Sequence, residues 1–163
     1  METHITHSAD ETIELGRQIA KRLPPKATVM LIGNLGAGKT TLTQGIVEGL
    51  GVANRNEVAS PTFTLIHEYG PKVFHIDLYR LDTEAEVATL GLDDLFDREA
   101  VILIEWGERF PRLMPQDRLE IRFEHLPEDD SRRITLSHHS EYSVPSIDFP
   151  SDPERTSKIP GSV

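Results

Sequence analysis

Hydrophobic and polar positions change period several times along this chain, and each change marks an element. Ala27 to Ile32 is an apolar run of strand length. Ala100 to Ile104 is a second, closed by Glu105 and Trp106. Unbroken runs of this kind suit central strands covered on both faces. Arg118 to Glu124 alternates polar and apolar instead, as does Arg133 to Leu136. The polar stretch between them reads as a hairpin turn, which predicts two antiparallel strands at one edge. Ser8-Ala9-Asp10-Glu11 has the form of a capping box, with Ser8 capping a helix and Glu11 reaching back. That helix is expected to run to about Leu23, with Ile13, Leu15, Ile19, Ala20 and Leu23 inward, until Pro24-Pro25 stops it. Thr41 to Leu50 reads as a second helix ending at Gly51.

The middle of the chain is more broken. Ser60 to Tyr69 reads as a strand with a rigid start, Gly70-Pro71-Lys72 as a turn, and Val73 to Tyr79 as the returning strand. Thr83 to Leu90 reads as a short capped helix ended by Gly91, Leu92 to Phe96 as a further turn, and Gly107 to Leu113 as a short helix closed by Pro115. Strands alternating with helices predict an α/β fold.

Between the first strand and the second helix lies Gly33-Asn34-Leu35-Gly36-Ala37-Gly38-Lys39-Thr40. It matches G-x-x-x-x-G-K-[ST], the phosphate-binding P-loop. Gly33 and Gly38 are expected to let the backbone turn, so that the N–H groups of Asn34, Leu35, Gly36, Ala37 and Gly38 converge on one concavity. The concavity opens onto a helix N-terminus, which favours an anion. Lys39 adds a point charge for the β- and γ-phosphates, and the Thr40 hydroxyl is a ligand for Mg²⁺. A chance match is the alternative, but the flanking strand and helix are the context the motif requires. The fold class sharpens to a P-loop NTPase-type three-layer sandwich with a mainly parallel sheet and antiparallel hairpin or edge strands.

Glu105 ends its apolar strand where open α/β sheets bind ligands, the shape of a Walker B strand. It is a candidate to hold Mg²⁺ or to orient the attacking water. Asp77 is its rival, and their division of labour stays open. Ser60-Pro61-Thr62 sits where a nucleotide-sensing switch would sit, with Thr62 a candidate metal or γ-phosphate contact; an ordinary proline turn is an equal reading. Ser8 is either a plain cap or a residue near the base. Arg133 is a candidate to point at the nucleotide, although most such arginines are solvated. Trp106 is either core or a wall of the site. Seven histidines show no metal-ligand spacing and read as surface or packing residues.

Composition narrows the use of such a site. At 163 residues the chain is one domain by length. Residues 1–144 are expected to form the P-loop domain and 145–163 a disordered, proline-rich tail. The net charge of −10, from 17 basic and 27 acidic residues, repels a phosphate backbone, so any nucleic acid is held by a partner. Glu128-Asp129-Asp130 reads as a solvated turn. Cysteine is absent, no apolar run spans a membrane and no signal peptide is visible, which fits a cytoplasmic protein. No N-K-x-D or D-x-x-G string occurs, so ATP is favoured over GTP. The segment after Tyr79 is acidic and not the arginine-rich lid expected of a small-metabolite kinase.

The P-loop stretch Gly33 to Thr41, Ser60-Pro61-Thr62-Phe63-Thr64-Leu65, His75-Ile76-Asp77-Leu78-Tyr79-Arg80-Leu81 and Ile104-Glu105-Trp106 together resemble the bacterial TsaE (YjeE-like) family over about residues 8–140. The resemblance implies a small cytoplasmic ATPase, weak alone, that joins the TsaB and TsaD proteins. That assembly places threonylcarbamoyl on the adenosine beside the anticodon of tRNAs reading codons that begin with A. Carried onto this chain, it implies ATP and Mg²⁺ as cofactors, with Lys39 on the phosphates and Thr40 and Glu105 on the metal. Thr41 assists the nucleotide, and Thr62 and Asp77 complete the site. tRNA is reached only through the assembly, and no membrane is involved. A small-metabolite P-loop kinase and a non-catalytic ATP-dependent docking switch are the competing functions.

Overall fold

The computed structural model describes residues 1–34 and 36–139. Leu35 and the tail expected over 145–163 lie outside the described residues, as does the domain boundary at 144. The elements in order are β1 (Glu2–Thr6), α1 (Ala9–Ala20), β2 (Ala27–Ile32), α2 (Lys39–Gly49), β3 (Ile66–Glu68), β4 (Val73–Asp77), α3 (Glu84–Ala88), α4 (Leu92–Asp97), β5 (Val101–Glu105), β6 (Arg118–Leu126) and β7 (Ser131–His139). They build one seven-stranded sheet in the order β1-β7-β6-β2-β5-β4-β3.

The four middle strands are parallel, with β2 between β5 and β6 and with β4 beside β5. The ends are antiparallel: β6 turns back into β7, β1 adds to β7, and β3 pairs with β4. The expected hairpin therefore forms but is not the edge. β1, which the alternation analysis did not identify, covers its outer side.

Alternation along β2 divides the core into two layers. Val29 and Leu31 pack with Leu15, Ile19, Leu42 and Ile46 of α1 and α2. Met30 and Ile32 face the other way, toward Val87, Leu92 and Phe110. Helices α1 and α2 touch backbone to backbone. A Cβ at Gly45 would lie 2.1 Å from the Ile13 carbonyl oxygen, and one at Gly16 would lie 2.5 Å from that of Leu42. Arg17 Nε donates to Glu48 Oε1 across the pair at 2.6 Å. This contact brings the N-termini of both helices to one side of the sheet.

Several boundaries differ from the sequence reading for local reasons. Ser60 to Leu65 is a turn, not strand: Leu65 has φ 70° and its N–H bonds the Pro61 carbonyl at 2.7 Å. Strand β4 stops at Asp77, whose own Oδ1 accepts the Tyr79 N–H at 2.8 Å and bends the chain. The 107–113 helix is two 3₁₀ turns, Gly107–Arg109 and Pro111–Leu113, because Pro111 has no N–H to continue the first. Helix α1 ends at Ala20, and 3₁₀-type bonds tighten the chain to a half-buried Leu23. Ser8 Oγ accepts the Glu11 N–H, while Glu11 reaches past Ser8 to the His7 N–H at 3.0 Å.

Candidate active site

The parallel register sets the site. Leu31 of β2 lies beside Glu105 of β5, and Glu105 lies beside Asp77 of β4. Three strands thus end together, one feeding the glycine loop and two ending in carboxylates. The loop turns with Gly36 at φ 78° and Gly38 at φ 109°, a region that non-glycine residues rarely occupy. Gly38 caps α2 without a side-chain hydrogen bond, so the first N–H groups of the helix are left for a ligand. Gly33 has a different reason from the turn expected of it. It is not at positive φ, and a Cβ there would press to 3.0 Å from Phe123 Cβ.

Lys39 is 4 % exposed. Its Nζ donates to the Gly33 carbonyl at 2.7 Å and stands 3.9 Å from the centre of the Trp106 ring. Burial holds its ammonium below the usual lysine range, opposed by the fields of Glu105, Glu108 and Asp77. Among the described residues no carboxylate pairs with it directly. A buried ammonium with a carbonyl, a ring face and no anion fits a phosphate. The Thr40 hydroxyl and the two carboxylates supply hard oxygen donors. Among the described residues no cluster of three His, Cys, Asp or Glu side chains forms a closed metal cage. Hard oxygen donors of this type are the ones Mg²⁺ takes from proteins, one or two at a time.

The two carboxylates are held differently. Asp77 Oδ2 accepts Ser60 Oγ at 2.7 Å and Thr62 Oγ1 at 3.0 Å, and its Oδ1 accepts the Tyr79 N–H. Both of its oxygens are used to hold the 60–62 turn and the bend after β4. Glu105 Oε2 accepts His75 Nε2 at 2.6 Å, and its other oxygen has no protein donor among the described residues.

These groups line one cleft of about 510 Å³, ample for a nucleotide. Ser8, Gly36, Gly38, Lys39, Thr40, Thr41, Thr62, Asp77 and Glu105 all line it, with Trp106 as a wall. Ala37 is buried beneath the loop, and Asn34 faces a second, smaller hollow. Arg133 is a correction. It lines that second hollow and pairs with Glu124 at 3.2 Å. Its neighbour Arg132 lines the cleft and donates to the Gly36 carbonyl at 3.5 Å. Successive β7 side chains point to opposite faces, so a shift of one residue decides which arginine reaches the site. Asp130, read as part of a solvated turn, also lines the cleft and bonds Arg132 and His125. His75, set aside with the other histidines, is fully buried behind Glu105. Its position two before Asp77 on a strand was the available signal.

Comparison with known proteins agrees with this geometry. The family model described as threonylcarbamoyl adenosine biosynthesis protein TsaE matches residues 6–134. The tRNA threonylcarbamoyladenosine biosynthesis protein TsaE of Bacillus subtilis (strain 168) is 41 % identical over 135 residues, 81 % of this chain and 82 % of that protein. The protein of the same name from Streptomyces coelicolor is 40 % identical over 139 residues, 76 % of this chain and 88 % of that one. The crystal structure of Bacillus subtilis YdiB superposes with a TM-score of 0.70 at 33 % identity, covering 85 % of each chain. Glycine loop, paired carboxylates and overall similarity agree: the chain belongs to the TsaE family.

Proposed function

We propose that this chain is a Mg²⁺-dependent ATPase subunit for threonylcarbamoyladenosine modification of tRNA, acting with TsaB and TsaD. One observation carries the reading: a buried lysine, with no anionic partner among the described residues, sits at an uncapped helix N-terminus, opposite two carboxylates on adjacent strands. The loop amides and Lys39 bind the β- and γ-phosphates. The Thr40 hydroxyl and Glu105 hold the metal side, and the free Glu105 oxygen is available to orient water in line with the γ-phosphorus. Bound Mg²⁺ offsets the charge that develops on the phosphate oxygens. The net charge of −10 supports a division of labour in which the partners grip the tRNA. Slow turnover of the isolated, cytoplasmic chain belongs to the same reading.

The test is ATP binding and phosphate release by purified protein, with tRNA nucleosides analysed from depleted cells. Lys39→Ala should abolish binding, and Glu105→Gln should lose hydrolysis far more than binding. Wild-type turnover in Glu105→Gln, or unchanged tRNA in depleted cells, would reject the proposal. The docking-switch reading has its own support. Asp77 tethers Thr62 beside Phe63, which is 82 % exposed, so a ligand that draws Thr62 inward would move an aromatic side chain on the surface. Normal tRNA modification by a variant that binds ATP without hydrolysing it would favour that reading.

A further inference from the structure

His75 is an uneconomical side chain for a core. It is 0 % exposed, on the sheet face that packs against α1 and α2, level with Leu103 of β5. Among the described residues its buried Nδ1 has no hydrogen-bond partner. A buried polar atom left unpaired carries a cost that a leucine of similar bulk would avoid. What the imidazole provides in return is one contact, Nε2 to Glu105 Oε2 at 2.6 Å. A carboxylate that serves a metal accepts and does not donate, so in this reading Nε2 is the donor.

We propose that His75 is the positioning residue for Glu105: its buried Nε2–H fixes one carboxylate oxygen inside the fold and thereby turns the other toward the cleft. The arrangement follows from register. His75 and Asp77 share a strand face, and Asp77 is beside Glu105 on the parallel neighbour, so the imidazole comes up from below the carboxylate. Glu105 takes its hydrogen bond from this histidine and not from Lys39, which bonds Gly33 instead. Each of the two opposite charges therefore has a fixed support of its own and remains available to a ligand. Asp77, by contrast, has both oxygens bonded to its own strand end and to the 60–62 turn. The support beneath Glu105 marks it as the carboxylate that serves the metal and the attacking water.

This inference rests on the ATPase reading, and its test separates the two. His75→Leu and His75→Gln are made in the wild-type and Glu105→Gln backgrounds. Steady-state hydrolysis, affinity for an unreactive ATP analogue and Mn²⁺ affinity by electron paramagnetic resonance are measured for each. His75→Leu should lower kcat by about 10- to 100-fold, the scale of a misplaced reacting group. Analogue affinity measured without metal should stay within about threefold, since Glu105 acts on the metal and the attacking water and not on the phosphates themselves. Mn²⁺ affinity in the analogue complex should fall. His75→Gln, whose amide reaches the same oxygen, should recover most of kcat, and His75→Leu should cost nothing further in Glu105→Gln. A purely structural role would lower stability equally in both backgrounds and would not distinguish Gln from Leu. Wild-type kcat in His75→Leu, or an equal loss in both backgrounds, overturns the proposal. Should His75→Leu fail to fold, His75→Gln with poor kcat and unchanged Mn²⁺ affinity does the same. If the wild type releases no phosphate, the ATPase reading fails, while unchanged Mn²⁺ affinity in His75→Leu would refute the positioning role independently.

Discussion

Gly45→Ala is a substitution on which local propensity and tertiary packing disagree in sign. Gly45 lies inside α2, where alanine is favoured over glycine by about 1 kcal/mol on helix propensity alone. A Cβ at this position, however, would sit 2.1 Å from the Ile13 carbonyl oxygen, where an ordinary contact begins near 3.4 Å. Helix α1 must retreat by the difference, about 1.3 Å, or α2 must tilt. Retreat opens a gap along the layer that holds Ile19, Leu42 and Ile46, all 0 % exposed, and a gap of that size forfeits much of their mutual contact. Overpacking of a close interface costs about 1–3 kcal/mol and sometimes more. A 2.1 Å approach to backbone belongs at the upper end of that range, about 3 kcal/mol, so against the propensity gain of about 1 a net loss of about 2 kcal/mol is expected, which is roughly 4–8 °C in Tm for a domain of this size. The assay is urea and thermal unfolding followed by circular dichroism, with nucleotide affinity measured alongside. Affinity should fall as well, because α1 brings Ser8, Ala9 and Thr12 to the cleft. A variant as stable as wild type, or more stable, would refute the claim that α1 and α2 are locked backbone to backbone.

Three further outcomes follow from the site. Arg132→Ala should weaken nucleotide binding by about 10- to 100-fold, the worth of a charge-assisted hydrogen bond, while Arg133→Ala changes it by less than about twofold. Equal effects in a titration at fixed salt would reject the assignment. Asp77→Asn should loosen the 60–62 turn, read as faster hydrogen exchange at the Leu65 amide, which bonds Pro61; unchanged protection would reject the tether. Glu108 has a buried oxygen with no partner among the described residues, and burial pushes its carboxyl above the usual carboxylate range. A group raised in the folded state contributes stability that is present at low pH and lost as pH rises through the folded value. Glu108→Gln should therefore raise Tm at about pH 8 and lose that advantage toward about pH 4. The same Tm difference at both pH values would count against it.

Strand β2 was legible to the residue, because a continuous apolar run bracketed by Pro24-Pro25 and a glycine loop has few other ways to satisfy its backbone. The end of β5 at Glu105 was legible for the same reason. The stretch 60–65 was misread as strand, since its β-favouring residues are overruled by a turn anchored on the Asp77 carboxylate seventeen positions from Ser60. The strand at 2–6 escaped notice because five mixed residues carry little periodicity, and its pairing with β7 lies far along the chain.

What the sequence alone determined is the local pattern: a glycine loop with P-loop spacing, a lysine and a threonine behind it, and two strands ending in acids. These are encoded within a few consecutive residues, as glycine spacing and hydropathy. What only the tertiary structure decided is which groups meet: His75 beneath Glu105, Ser60 and Thr62 on Asp77, Arg132 and not Arg133 at the cleft, and Trp106 over Lys39. Each meeting depends on strand register and side-chain facing between segments distant in sequence. A shift of one residue reverses the face a side chain presents, and no local pattern contains that information.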